Sequence, residues 1–132
     1  MGSDNQYRSS LESRVGSWMG PLGGQYEAFQ VPYSIPRTYN PDFTFEHEGV
    51  HVEVKGYFRA GDRQKYAAIA EQMVEDGWTY VFILQNPNKP VGKGAKLTMG
   101  GWCDKHGITW FAEDDASGFE LWLEEVSNDE NS

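Results

Sequence analysis

The chain has 132 residues, enough for one compact domain and too few for two comfortable ones. Hydrophobic residues make up 39% and aromatics 14%, with 5 Trp, 7 Tyr and 7 Phe, which supplies a core and excludes wholesale disorder. The longest apolar run, Tyr80 to Leu84, is far shorter than the roughly 20 residues of a membrane helix, and one cysteine, Cys103, excludes a disulfide framework and a Cys-only metal cluster. The polar N-terminus has no hydrophobic stretch of the secretory kind, so a soluble intracellular domain is expected.

In chain order, residues 1–8 form a polar lead. Ser9 or Ser10 opens a short helix with Leu11, Val15, Trp18 and Met19 on one stripe, ended by Pro21-Leu22-Gly23-Gly24. The next segment is broken by Pro32, Pro36 and Pro41, each of which pushes its predecessor into extended geometry. A stiff arm over about 25–39 is therefore expected, too aromatic to hang free and suited to pack on a second subunit. DFTF, the turn Glu46-His47-Glu48-Gly49 and VHVEVKGYF read as a β-hairpin. GDRQKYAAIAEQMVEDG reads as an amphipathic helix stopped by Gly77, and WTYVFIL as a buried strand. A Gly/Pro/Lys loop, a weak helix at MGGWCDKHG and a short strand ITWF follow. SGFELWLEEV is a last helix with Ser117 and Glu120 spaced as a capping box, and 127–132 an acidic solvated tail. The alternation describes one α/β (α+β) domain over 9–126, a mixed sheet flanked by helices.

The net charge of −9 is unevenly placed. Residues 113–132 hold eight acids and no base, whereas residues 1–112 hold 12 acids against 11 bases and are nearly neutral. The bases of the body cluster at Lys55, Arg59, Arg63 and Lys65, and again at Lys89, Lys93, Lys96 and Lys105. Contact with phosphate needs local positive patches rather than a positive total, although such clusters are equally compatible with plain solvated faces.

The hairpin carries the chemistry. Its four-residue turn pairs Phe45 with Val50 and so sets Asp42 opposite Glu53, with Cβ atoms about 4.5–5.5 Å apart on one face. Two carboxylates so close repel unless a proton or cation lies between them. Lys55 and His51 share that face, while Val50, Val52 and Val54 point into the core. Oxygen ligands of this kind suit Mg²⁺ or Mn²⁺. Singly, Asp42 is equally a turn residue and Glu53–Lys55 an exposed ion pair of little consequence. Ser9-x-x-Glu12 is also a good capping box. His47 and His106 read as solvent or helix-end residues, and Cys103 as a small core residue.

Pro41-Asp42, ten residues, then Glu53-Val54-Lys55 is the PD-(D/E)XK nuclease pattern. Together with SSLESRV, VPYSIPRTYNPDF, DRQKY and WCDKHGI, it resembles the phage-type endonuclease I family of Holliday-junction resolvases from about Arg8 to Phe111. The resemblance implies a restriction-endonuclease-like core and an active site of Glu12, Asp42, Glu53 and Lys55. It implies two divalent ions, Mg²⁺ or Mn²⁺, held by Glu12, Asp42, Glu53 and the Val54 carbonyl. It further implies an intertwined, domain-swapped homodimer acting on branched DNA in the host cytoplasm and leaving 5′-phosphate ends, with no membrane and no organic cofactor. Arg8, Arg14, His51, Arg59, Arg63, Lys65, Lys93 and Lys96 are the candidate DNA contacts. The acidic C-terminus departs from the family's Lys/Arg-rich termini. Two rival readings are another nuclease of the same superfamily, cutting nicks, mismatches or flaps, and a non-catalytic acidic DNA mimic, which the near-neutral body disfavours.

Overall fold

The computed structural model describes residues 6–33 and 37–130. Helix α1 (Ser10–Met19) starts at Ser9, whose hydroxyl accepts the Glu12 N–H. Three short strands follow, β1 (Gln25–Tyr26), β2 (Val31–Tyr33) and β3 (Arg37–Tyr39), and then the hairpin of β4 (Phe43–Phe45) and β5 (Val50–Lys55). Helix α2 (Asp62–Glu75), strand β6 (Thr79–Leu84), helix α3 (Met99–Lys105), strand β7 (Thr109–Ala112) and helix α4 (Ala116–Glu130) complete the chain. The main sheet runs β1-β4-β5-β6-β7, antiparallel on the β4 side and parallel from β5 to β7. The expected mixed sheet flanked by helices is thus present, and its hairpin register is the expected one, Phe45 opposite Val50 and Phe43 opposite Val52. Gly49, at φ +71°, takes the left-handed conformation that the tight turn demands.

Side-chain alternation along β5 and β6 divides the core in two. Val50, Val52, Val54, Val81 and Ile83 face α1 and α4, packing on Val15, Met19, Phe119 and Leu123. Tyr80, Phe82 and Leu84 face α2 and α3, packing on Tyr66, Ile69, Met73 and Trp102. The residues of β5 between the valines, His51, Glu53 and Lys55, therefore belong to the α2 side. Glu53 is thus set on a strand that is buried from both sides.

Three expectations need correction. The stretch 25–39 is not one extended arm: β2 and β3 pair with each other antiparallel, Val31 opposite Tyr39. Pairing supplies backbone partners locally and buries Val31 and Tyr39 against the α2-side core; positions 34–36, with Pro36, lie outside the described residues. Helix α4 is capped by Asp115, whose Oδ1 accepts the Gly118 N–H at 3.1 Å, and not by Ser117. That helix also continues to Glu130 where a solvated tail was expected, because Val126 packs on the same core one turn beyond Leu123 and each added residue closes one more helical bond. Residues 1–5 of the polar lead and 131–132 of the tail lie outside the described residues.

Among the described residues no helix is long and apolar enough to cross a membrane. Cys103 is fully buried, as expected of a small core residue, and burial pushes its thiol up to about 12. A maleimide or iodoacetamide should therefore leave the native protein unmodified at pH 7.5 and label it stoichiometrically in denaturant; mass spectrometry of both samples reads the difference.

Candidate active site

An open cleft of about 730 Å³ lies where α1, the β4–β5 hairpin and the start of α2 meet. Glu12, Asp42, Glu53, Val54 and Lys55 all line it, so one chain brings together every residue of the expected active site. Asp42 reaches it from the residue before β4, and its Oδ2 accepts the Val54 N–H at 2.7 Å. The Val54 carbonyl projects toward the same strand edge as that N–H. Asp42 and Glu53 are only 2% and 5% exposed.

Burial of these carboxylates requires partners, and tyrosines supply most of them. Tyr39 donates its hydroxyl to Glu53 Oε1, and Tyr66 donates to Glu53 Oε2 at 3.1 Å. Tyr80 lies 2.6 Å from the Tyr39 hydroxyl and must donate to it, since the single Tyr39 proton is already committed to Glu53. Burial and the neighbouring carboxylate raise all three phenols above their ordinary value, so they remain donors. Lys55 Nζ stands 3.8 Å from Glu53 Oε2, 3.7 Å from Asp62 Oδ2 and 4.4 Å above the Tyr66 ring. The ammonium is thereby held by two carboxylates and an aromatic face. Burial raises the Glu53 carboxyl, while Lys55 and the two tyrosines oppose that rise.

Asp42 belongs to a second acidic group. Glu12, Glu27 and Asp42 each offer one oxygen within 4.8 Å of the others. Glu27 holds a left-handed backbone (φ +47°) with its N–H on the Asp42 carbonyl at 2.8 Å, which fixes the end of β1 against the start of β4. Glu12 Oε1 accepts the Tyr26 hydroxyl at 2.5 Å and the Arg8 backbone N–H at 3.2 Å. Its N–H donates to the Ser9 hydroxyl, while its carboxylate lines the cleft and takes the Arg8 N–H in place of the Ser9 N–H that a reciprocal capping box requires. Burial, then Glu53 and Glu12, push the Asp42 carboxyl up to about 9. Arg8 answers part of this charge, with Nε 2.6 Å from Glu27 Oε2 and Nη2 3.6 Å from Asp42 Oδ1. Glu27 Oε2 is buried and, among the described residues, has this ion pair with Arg8 but accepts no hydrogen bond. An all-oxygen set with one buried oxygen that accepts no hydrogen bond fits a hard divalent cation such as Mg²⁺ or Mn²⁺.

The candidate DNA contacts separate. Arg8, Arg14, Arg59 and Lys65 line the cleft, with Arg14 bound through its guanidinium to Glu113. Lys93 lines a neighbouring groove, while Arg63 and Lys96 are exposed and line neither cavity. His51 does not fit the expected role: at 1% exposure it stacks on Trp78 and bonds Thr44 Oγ1 at 2.8 Å, outside the cleft. It shares the Glu53 face but lies two residues deeper along the strand, under Phe29 and Trp78. Glu27, Tyr39, Tyr66 and Asp62 had not been singled out. Tyr66 shares the α2 apolar stripe with Ile69, Ala70 and Met73, the one pattern that could have drawn attention to it.

Asp42→Asn keeps an acceptor for Val54 and removes one of three crowded carboxylates. It should raise the melting temperature in chelator by about 3 °C, near 1 kcal/mol, while abolishing calorimetric Mn²⁺ binding.

The whole pattern has known counterparts. The chain matches the phage endonuclease I family over residues 1–130. It is 36% identical over 107 residues to endodeoxyribonuclease 1 of Enterobacteria phage T3, covering 77% of this chain and 68% of that protein. It is 37% identical over 107 residues to endonuclease I of Escherichia phage T7, covering 77% and 70%. With the Asp-Glu-Lys cleft on a mixed sheet and a match across nearly its whole length, the chain belongs to the phage endonuclease I family.

Proposed function

We propose that this protein is a metal-dependent endodeoxyribonuclease that resolves four-way junctions and related branched DNA by hydrolysing phosphodiester bonds to leave 5′-phosphate ends. The observation that carries the proposal is the convergence of Asp42, Glu53 and Lys55 at one end of the β4–β5 hairpin in an open cleft. Membership of a family whose T3 and T7 relatives are named as endonucleases supports DNA as the substrate. A phosphate mimic would display its acids, whereas Asp42 and Glu53 are buried.

Glu12, Glu27, Asp42, Glu53 and the Val54 carbonyl would hold one or two Mg²⁺ or Mn²⁺ ions. The chemistry such a site would supply is polarisation of a water and compensation of charge on the attacking and leaving oxygens. The tyrosine hydroxyls fix both Glu53 oxygens in place, so the carboxylate needs little reorganisation during reaction. Lys55, pinned by Glu53 and Asp62, offers its ammonium to the charge that develops on the phosphate. Arg8, on the α1 side, and Arg59 and Lys65, on the α2 side, would face a backbone lying between them, with Arg14 at the same rim held by Glu113.

A four-way junction has approximate two-fold symmetry, so the proposal includes a C2 homodimer with two sites. In a single chain Glu12 already meets Asp42. Exchange of residues 6–33 between two chains would preserve that contact while making each site from both. Mixtures of Glu12→Ala with Glu53→Ala chains, inactive singly, should then recover about a quarter of the wild-type activity after equimolar co-refolding, since about half the dimers are mixed and each has one intact site of two; no recovery would refute shared sites.

The direct test is cleavage of a labelled immobile junction against matched linear, nicked and flap DNA, with Mg²⁺, Mn²⁺ or EDTA. Paired, symmetric, metal-requiring cuts that spare linear duplex are expected, and equal or faster cutting of the nicked or flap substrates would favour another structure-selective nuclease. Glu53→Ala and Lys55→Ala should lower cutting by more than about a thousandfold, the scale of losing a charge-stabilising group, and leave junction binding in gel shifts near wild type.

A further inference from the structure

A second groove of about 380 Å³ adjoins the cleft, and Tyr57 lines both. Its other walls are Phe58, Pro90 and Val91 with Lys89, Lys93 and glycine backbone, so it has an apolar lining, two cations and no acid. On a chain of net charge −9, an acid-free cationic apolar groove is a local exception. Tyr57 is 51% exposed, an unusual state for a large aromatic. Arg59 Cζ and Lys89 Nζ stand 5.8 Å and 5.6 Å from its ring centre, and Arg59 Nε donates to its hydroxyl at 3.3 Å. The ring is therefore held in place while much of it stays open to solvent.

Position strengthens the case. Only Gly56 separates Tyr57 from Lys55, so their Cα atoms are at most about 7 Å apart, roughly two nucleotide rises along one DNA strand. We propose that Tyr57 is a stacking platform for an unpaired nucleobase next to the scissile phosphate, with Lys89 and Lys93 taking the phosphates of the same strand. The inference rests on the endonuclease reading and adds to it a source of selectivity. In continuous duplex both faces of each base are covered by neighbours, whereas a branch point can release a base whose face is free to stack. Charge complementarity and continuity with the cleft both select a DNA strand as the occupant, and the open aromatic ring selects an unstacked one.

The test uses the full-length protein in EDTA, with four-way junctions carrying 5-iodouracil at successive positions around the branch. Irradiation should crosslink one such position to Tyr57, located by mass spectrometry, and no position in matched linear duplex. Tyr57→Ala should weaken junction binding about tenfold and duplex binding less than about twofold, while Tyr57→Phe retains both. Lys89→Ala combined with Lys93→Ala should lower the slope of log binding constant against log salt by about 1.8. Tyr57 is half exposed and packs on no core, so these variants should melt like wild type. Wild-type-like junction binding by Tyr57→Ala, with no crosslink to that residue, would overturn the subsite while wild-type cutting of junctions left the endonuclease reading standing. A wild-type protein that neither binds nor cuts junctions would remove both.

Discussion

The site is organised around two carboxylates forced side by side on the inner face of one hairpin. Asp42 and Glu53 are almost fully buried, and burying an ionised carboxylate without partners is among the most unfavourable things a fold can do. Much of the surrounding structure answers that problem. The Val54 N–H satisfies Asp42, Tyr39 and Tyr66 satisfy Glu53, Lys55 and Arg8 bring positive charge, and Tyr80 holds Tyr39. What stays only partly answered, a buried Glu27 oxygen with an ion pair but no hydrogen bond and an Asp42 carboxyl held up at about 9, is where the proposed divalent cation would complete the balance.

The two-sided sheet makes this arrangement stable. Val50, Val52 and Val54 anchor β5 against α1 and α4, so the hairpin is rigid whatever occupies its other face. On that other face the polar triad is shielded by aromatic residues of α2, β3 and β6, which lend hydroxyl donors at one end and apolar packing at the other. The acidic C-terminal segment meets the cleft through Glu113, which binds Arg14 and so neutralises one of its rim cations. The remaining rim cations and the Tyr57 groove are the surfaces to which the proposed DNA contacts are assigned.

Local signals carried much of this. The four-residue turn and period-2 alternation gave the β4–β5 register, and with it the shared face of Asp42, Glu53 and Lys55, because strand geometry allows only two faces. Ser9 announced α1, Gly77 ended α2, and Cys103 fell in the core as its type suggests. The tail and the last cap were misjudged because Ser117-x-x-Glu120 satisfies the pattern that Asp115 fulfils in space, and because Val126 finds its core only after α4 docks. His51 was misplaced for a related reason: alternation states the face of a side chain, not what covers it.

Taken alone, the sequence determined the class of fold, the hairpin with the shared face of Asp42, Glu53 and Lys55, and the uneven charge, because these follow from short-range periodicity, turn spacing and the order of charged residues. Only the tertiary structure decided that Glu27 joins Glu12 and Asp42, that Tyr39 and Tyr66 from two separate elements hold Glu53 with Tyr80 behind Tyr39, and that the arm pairs with itself. The contacts of the site join residues 13 to 41 positions apart in the chain, and nothing in a local pattern encodes the docking of elements that creates them; the arm pairs over only 4 to 8 positions, but Val31 and Tyr39 are buried by packing on the distant α2-side core.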